Sequence, residues 1–108
     1  MVRAKFSYSC DGLADGFEIS GHSGFAEVGS DIVCAAVSSA AYMCVNTLSE
    51  ILELKPEITE NDGLMKVRLS REDSEKADVV LRGFILHLEQ LSQQYPDFIM
   101  IERGAKNA

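Results

Sequence analysis

His22 and Cys34 stand on either side of a glycine-punctuated stretch, GHSGFAEVGSDIVCAAVS, that occupies residues 21–38. One side chain titrates near neutrality and the other carries a thiol whose anion is a strong nucleophile. A thiolate held beside an imidazole attacks a carbonyl carbon, and the imidazolium then returns the proton to the leaving group. The chain holds only two histidines and three cysteines, so the pair spends a large share of its reactive side chains in one short segment.

The residues between them supply what such chemistry needs. Ser30 or Asp31 is a good helix cap, because a short side-chain oxygen accepts from the open amides of a first turn. A helix starting there places Cys34 in its first turn, where free N–H groups and the helix dipole favour a thiolate. The same amides would serve as oxyanion donors in acyl transfer. Gly21, Gly24 and Gly29 make a loop able to bend sharply, to admit a substrate backbone closely, or to move over it. Asp31 has two readings, as the helix cap or as a third group orienting His22, and the two are compatible.

The remaining reactive residues have plainer readings. A free cysteine in apolar surroundings is usually a small buried hydrophobe, and Cys10 and Cys44 are expected to be packed and inert. His87, within FILHLEQL, reads as a partly packed surface residue. Tyr42 and Met43 read as core or interface. The histidines are too distant and too poorly accompanied for a zinc site, so no metal and no cofactor is expected.

Positioning these groups falls to elements whose periods are visible. VRAKFSY alternates at period two as a strand, DGLADG is a turn, and FEIS is the returning strand. From Asp31 to about Leu54 neither Gly nor Pro occurs. Val33, Val37, Ala40, Ala41, Cys44, Leu48 and Ile51 recur there at spacings of three and four, the stripe of a helix with one buried face. Pro56 closes that segment. EITENDGLMKVRLS is a second hairpin turning at NDG. A second helix is predicted from about Glu72 to Gln94, with Ala77, Val80, Leu81, Phe84, Leu88 and Leu91 inward and Pro96 beyond its end. FIMIER is a last strand, and GAKNA a loose polar tail. The order ββαββαβ predicts an α+β domain over residues 1–108, two helices packed on a largely antiparallel sheet.

Composition narrows the function classes. An apolar fraction of 46 % in 108 residues suits one packed domain. No apolar run reaches the roughly 18 residues of a membrane span, and the N-terminal MVRAKFSYSC lacks the apolar core of a signal peptide. Three cysteines, an odd number with no close spacing such as CxxC, suit reduced thiols in a reducing compartment, so a cytoplasmic protein without membrane association is expected. A net charge of −7 and the lack of a basic stripe argue against direct nucleic-acid binding. It would suit a basic protein partner.

GHSGFAEVGSDIVCAAVS closely resembles the signature of the bacterial ribosomal-processing cysteine proteases, the Prp family, with no departure inside the motif. The likeness extends to the chain length, the VNTLSEILEL end of the first helix and the late strand. The resemblance implies a cysteine endopeptidase with His22 and Cys34 as its catalytic dyad. It further implies a substrate, the precursor of a large-subunit ribosomal protein (the twenty-seventh of the standard series). From this a short N-terminal extension is removed beside an aromatic, Phe-containing stretch. It implies a homodimer, and a mobile substrate loop spanning Gly21, Gly24 and Gly29. The small-residue face of the first helix, Ala35, Ala36, Ser39 and Ala40, independently suggests a homodimer. Two other readings compete: a non-catalytic ribosome-assembly or protein-binding module in which Cys34 is incidental, and a thiol enzyme of another kind, such as an acyltransferase or a redox sensor.

Overall fold

The structure, a computed structural model, describes residues 1–21 and 28–106, with the backbone alone of 28–31, 105 and 106. Strand β1 (Val2–Tyr8) turns back through a Ser9–Leu13 loop into β2 (Ala14–Ser20). The first helix α1 (Val28–Asn46) continues as a π-helical turn (Thr47–Ile51), then β3 (Glu57–Asn61) and β4 (Leu64–Arg68) form the second hairpin. Helix α2 (Arg71–Gln94) and strand β5 (Ile99–Lys106) follow. The expected order ββαββαβ is the observed one.

The five strands form one sheet in the order β3-β4-β2-β1-β5. Every pairing is antiparallel except β1 with β5, which is parallel, so the sheet is mixed. Successive strand side chains point to opposite faces. The even-numbered residues of β1 (Val2, Ala4, Phe6) therefore join Phe17 and Ile19 of β2 and Met65 and Val67 of β4 in burial. Helix α2 lays Ala77, Leu81, Phe84, Ile85 and Leu88 in the same core, and α1 contributes Val33, Val37, Ala41, Cys44 and Leu48.

The start of α2 is built as its sequence suggests. The Ser70 hydroxyl accepts from the Asp73 N–H at 3.1 Å, and Glu72 and Asp73 place negative charge at the positive end of the dipole. An ion pair from Arg71 to Asp11 ties this helix start to the first hairpin.

Four expectations need correction. GAKNA is not wholly loose: Gly104–Lys106 belong to β5, with Phe6 opposite Arg103 and Tyr8 opposite Lys106. A Cβ on Gly104 would lie 2.9 Å from the Phe6 carbonyl oxygen, so the absent side chain lets this strand close on β1. The first return strand starts at Ala14, inside the segment read as turn.

Third, the apolar stripe of the first helix does not run through to Ile51, which is 75 % exposed. Around Thr47 the ladder widens: the Leu52 N–H donates to the Thr47 carbonyl at 2.9 Å, a five-residue span. The Thr47 hydroxyl meanwhile donates to the Met43 carbonyl at 2.7 Å. The longer turn rotates residue 51 off the buried face. Glu53, at φ 55°, ends the run before Pro56 is reached.

Fourth, by length and composition alone Ile32–Ile51 does reach the threshold of a membrane span, with a mean hydropathy of 1.5. A third of it is buried as in a core helix, with Val33, Val37, Ala41, Cys44 and Leu48 inward. The rest is partly or fully exposed.

The wide turn makes Leu48 and Ile51 unequal. Leu48→Ala should lose about 2–5 kcal/mol of unfolding free energy, the range for an emptied core site. Ile51→Ala should lose less than about 1 kcal/mol. Chemical denaturation of both variants checks this, and equal losses would restore the continuous stripe.

Candidate functional site

Strand β2 carries the chain to Gly21, and α1 carries it on from Val28. Gly21 sits at φ +86°, a conformation glycine adopts at little cost. Its N–H donates to the Gly63 carbonyl at 3.1 Å, joining the end of β2 to the β3–β4 turn. His22 and Gly24 lie outside the described residues. Of the sequence-predicted site residues, Gly21, Gly29, Asp31 and Cys34 are therefore placed by the structure, the middle two by their backbone only.

Helix α1 starts earlier than Ser30 or Asp31 suggests. Its described part runs from Val28, so Gly29, Ser30 and Asp31 are already helical. Asp31 is therefore inside the helix and does not cap its start. Gly29 is helical and not a loop residue. Cys34 lies more than one turn past Val28, where its amide belongs to the i→i−4 ladder. The helix field is strongest at the first turn and fades beyond it. The case for a thiolate stabilised by open helix amides weakens accordingly, and more of the activation rests on a base. Because helical side chains lean toward the N-terminus, the Cys34 thiol still points back over the turn that begins the helix.

Burial separates the three cysteines. Cys44 is buried on the inner face of α1, and loss of solvent pushes its thiol up to about 12. Cys34 is half-buried, packed against the core beside the fully buried Val33. Cys10 is exposed, at the first hairpin turn. The expectation that Cys10 is packed was wrong, because the turn around Gly12 carries residue 10 out past the end of the sheet. Among the described residues no group of three or more His, Cys, Asp or Glu is gathered that could hold a metal ion.

A second feature lies along the helices. An open apolar groove of about 680 Å³ runs between α1 and α2, with Ala36, Ser39, Ala40 and Met43 on one wall and Val79, Gly83 and His87 on the other. The α1 side of this wall is largely the small-residue face picked out in the sequence. Its α2 side was missed, although Val79 and Gly83 at a four-residue spacing already marked one strip of the helix.

The order of thiol reactivity follows from these environments. Brief alkylation of the native protein near neutral pH should modify Cys10 as well as Cys34 and leave Cys44 intact until denaturant is added; peptide mass mapping reads this directly. For Cys44 the folded pKa lies above the unfolded value near 8.5–9. Its burial therefore contributes stability that is complete below about pH 8 and is lost as pH rises from there toward 12, since the unfolded chain releases the proton first. Cys44→Ala should flatten that alkaline decline.

Comparison with known proteins places these features in a family. The family model for "Cysteine protease Prp" matches residues 1–100. The ribosomal processing cysteine protease Prp of Bacillus subtilis (strain 168) is 31 % identical over 107 residues, covering 94 % of this chain and 96 % of that protein. Among solved structures, SMU.848 from Streptococcus mutans superposes with a TM-score of 0.86 at 29 % identity, over 95 % of this chain and 96 % of that one. The essential ribosomal processing protease Prp from S. aureus, solved in complex with a substrate peptide, superposes with a TM-score of 0.89 over 96 % of this chain and all of that one. At 22 % identity it attests the fold. With its order of elements, its GHSG and DIVC blocks and a family match over nearly its whole length, this chain belongs to the cysteine protease Prp family.

Proposed function

We propose that this protein, as one domain over residues 1–108, removes a short N-terminal extension from the precursor of a large-subunit bacterial ribosomal protein, the twenty-seventh of the standard series. His22 is the base and Cys34 the nucleophile. The observation that carries the reading is the placement of Cys34. A half-buried thiol on α1, next to the buried Val33, is held by the core yet not sealed from a peptide. In the chain, the segment bearing His22 follows the end of β2 and leads into α1.

In the proposed cycle the Cys34 thiolate adds to the scissile carbonyl. His22, as imidazolium, protonates the departing amine, and a thioester remains on Cys34. Water, deprotonated by His22, then releases the acid and restores the thiol. The Cys34 amide is engaged in the helix ladder, so the oxyanion donor is another backbone amide of the site. Asp31, already helical and not a cap, keeps the role of orienting His22. The cycle needs no cofactor. The chain's net negative charge suits a basic ribosomal protein as substrate and disfavours direct contact with nucleic acid. Cytoplasmic residence fits a substrate made there.

We further infer a homodimer through the α1–α2 face. Ile32, Met43 and Ile51 on the first helical segment and Val79 and Leu86 on α2 are all more than half exposed. An apolar face of this extent on a small chain marks an interaction surface. It holds both a depression, floored by Ala36, Ala40 and Gly83, and projecting side chains, Met43 and Val79. A two-fold interface needs such self-complementarity, because the same patch must serve as both partners.

Two outcomes check these readings. Incubation with the extended ribosomal protein should give one new N-terminus by mass. Cys34→Ser should fold and bind but not cleave, and His22→Ala should lose about 10²–10⁴-fold in rate; a Cys34→Ser protein that still processes the precursor rejects the mechanism. Light scattering should report twice the 11.8 kDa chain mass. Val79→Glu should return the protein to monomer, and an unmodified protein already monomeric at micromolar concentration removes the dimer.

A further inference from the structure

His22 follows directly on Gly21, so whatever holds Gly21 sets the point from which the imidazole is carried. Three features meet there. The φ of +86° excludes most side chains. A Cβ at this position would collide with the backbone carbonyl oxygen of Met1, so residue 1 lies flush against it. The N–H donates to the carbonyl of Gly63, itself at φ +75° in the turn that joins β3 to β4. The last pair in the β2–β4 register is Ser20 with Leu64, so this bond extends the ladder one step past the strand.

The same hairpin is also attached to the helix that bears Cys34. The Tyr42 hydroxyl, on α1, donates to the Glu60 carboxylate on β3. The β3–β4 hairpin therefore holds the residue that precedes His22, through Gly63, and the helix that carries Cys34, through Glu60.

We propose that the β3–β4 turn at Gly63, with the Met1 carbonyl on the other side, is a positioning element that fixes the base relative to the nucleophile. This rests on the His22–Cys34 reading above. Gly63 touches no reacting atom; it acts through Gly21. A proton transfer between two side chains is sensitive to placement, and a shift of about 1 Å in such a group can cost on the order of 10²-fold in rate. Peptide binding does not need the imidazole at the same tolerance. Loosening the turn should therefore act on kcat and on thiolate formation, and far less on KM.

The test uses a Cys10→Ala background, because exposed Cys10 would otherwise compete for reagent while Cys44 is buried. The readouts are the pH midpoint of Cys34 alkylation by iodoacetamide, kcat and KM on the precursor, and Tm. Gly63→Val opposes the positive φ of the turn, whereas Gly63→Asn tolerates it and is the rescue variant. Gly21→Ala attacks the clamp from its other side. Met1 is 51 % exposed, so that collision is relieved by a local shift and not by unfolding. His22→Ala supplies the reference midpoint for a thiol without its base.

Gly63→Val and Gly21→Ala should both move the Cys34 midpoint toward that of His22→Ala and lower kcat about tenfold or more. KM should stay within about twofold, and Gly63→Asn should return to the parent values. The proposal is overturned if midpoint and kcat stay at the parent values, or if any loss simply follows Tm. If His22→Ala itself leaves the Cys34 midpoint unmoved, the dyad and the positioning role fall together. If only the turn variants are silent, the dyad stands and the turn is structural.

Discussion

The packing of Phe84 against two strands at once is the contact on which the rest of the molecule depends. Its ring meets Phe17 of β2 at 4.7 Å between centroids, tilted by 49°, and Phe6 of β1 edge-on at 6.2 Å. Both geometries are favourable for aromatic pairs. Because β1 and β2 are neighbours, one residue of α2 fixes the helix over the strand pair to which β4 and β5 add on either side. Strand β5 can add in parallel to β1 because α2, lying across the sheet, carries the chain back to the end where β1 began. Arg103 secures that arrangement, donating to the Tyr8 hydroxyl at 2.7 Å and pairing with Glu89 of α2.

With α2 seated, α1 has one remaining strip of core to fill, and its rotation follows. Val33, Val37, Ala41, Cys44 and Leu48 turn inward, which sets the Cys34 side chain at the border between core and solvent. The proposed nucleophile gains from that border: packing on one side restricts its rotamers, while the other side stays accessible to substrate. The same rotation turns Met43 outward and leaves the groove against Val79 and Gly83. One helix thus carries three tasks on three strips of its surface, and small residues are what let the strips lie so close together.

The second hairpin is the least buried part of the sheet, with every residue of the edge strand β3 exposed. Glu57 and Glu60 along it discourage pairing with another chain, as charges on an edge do. The Tyr42–Glu60 hydrogen bond, which raises the tyrosine pKa because the ionised phenol would face a carboxylate, anchors that edge to α1. An element with so little core of its own keeps its place through such attachments, and its turn lies beside the chain that leads into the site.

Much of this was legible in the residues. Period-two alternation in Val2, Ala4 and Phe6, the three-and-four spacing through Ala77, Leu81, Phe84 and Leu88, and the glycine turns determined which segments are strands and helices and which faces are apolar. Local steric and solvation preferences act within a few residues, so a linear pattern records them. The GHSG and DIVC blocks likewise marked the family before any fold was known. Tertiary structure decided the rest. Helix α1 already includes residues 28–31 and leaves Cys34 more than a turn inside it; Ile51 is exposed because a π-helical turn absorbs one residue; Cys10 is exposed; and a polar tail with no alternation is a strand because β1 offers it hydrogen bonds. That Gly21 rests between Met1 and Gly63 also leaves no mark on the pattern. Each of these depends on what a distant segment places alongside, and a contact between residues far apart in the chain imposes no period on either of them.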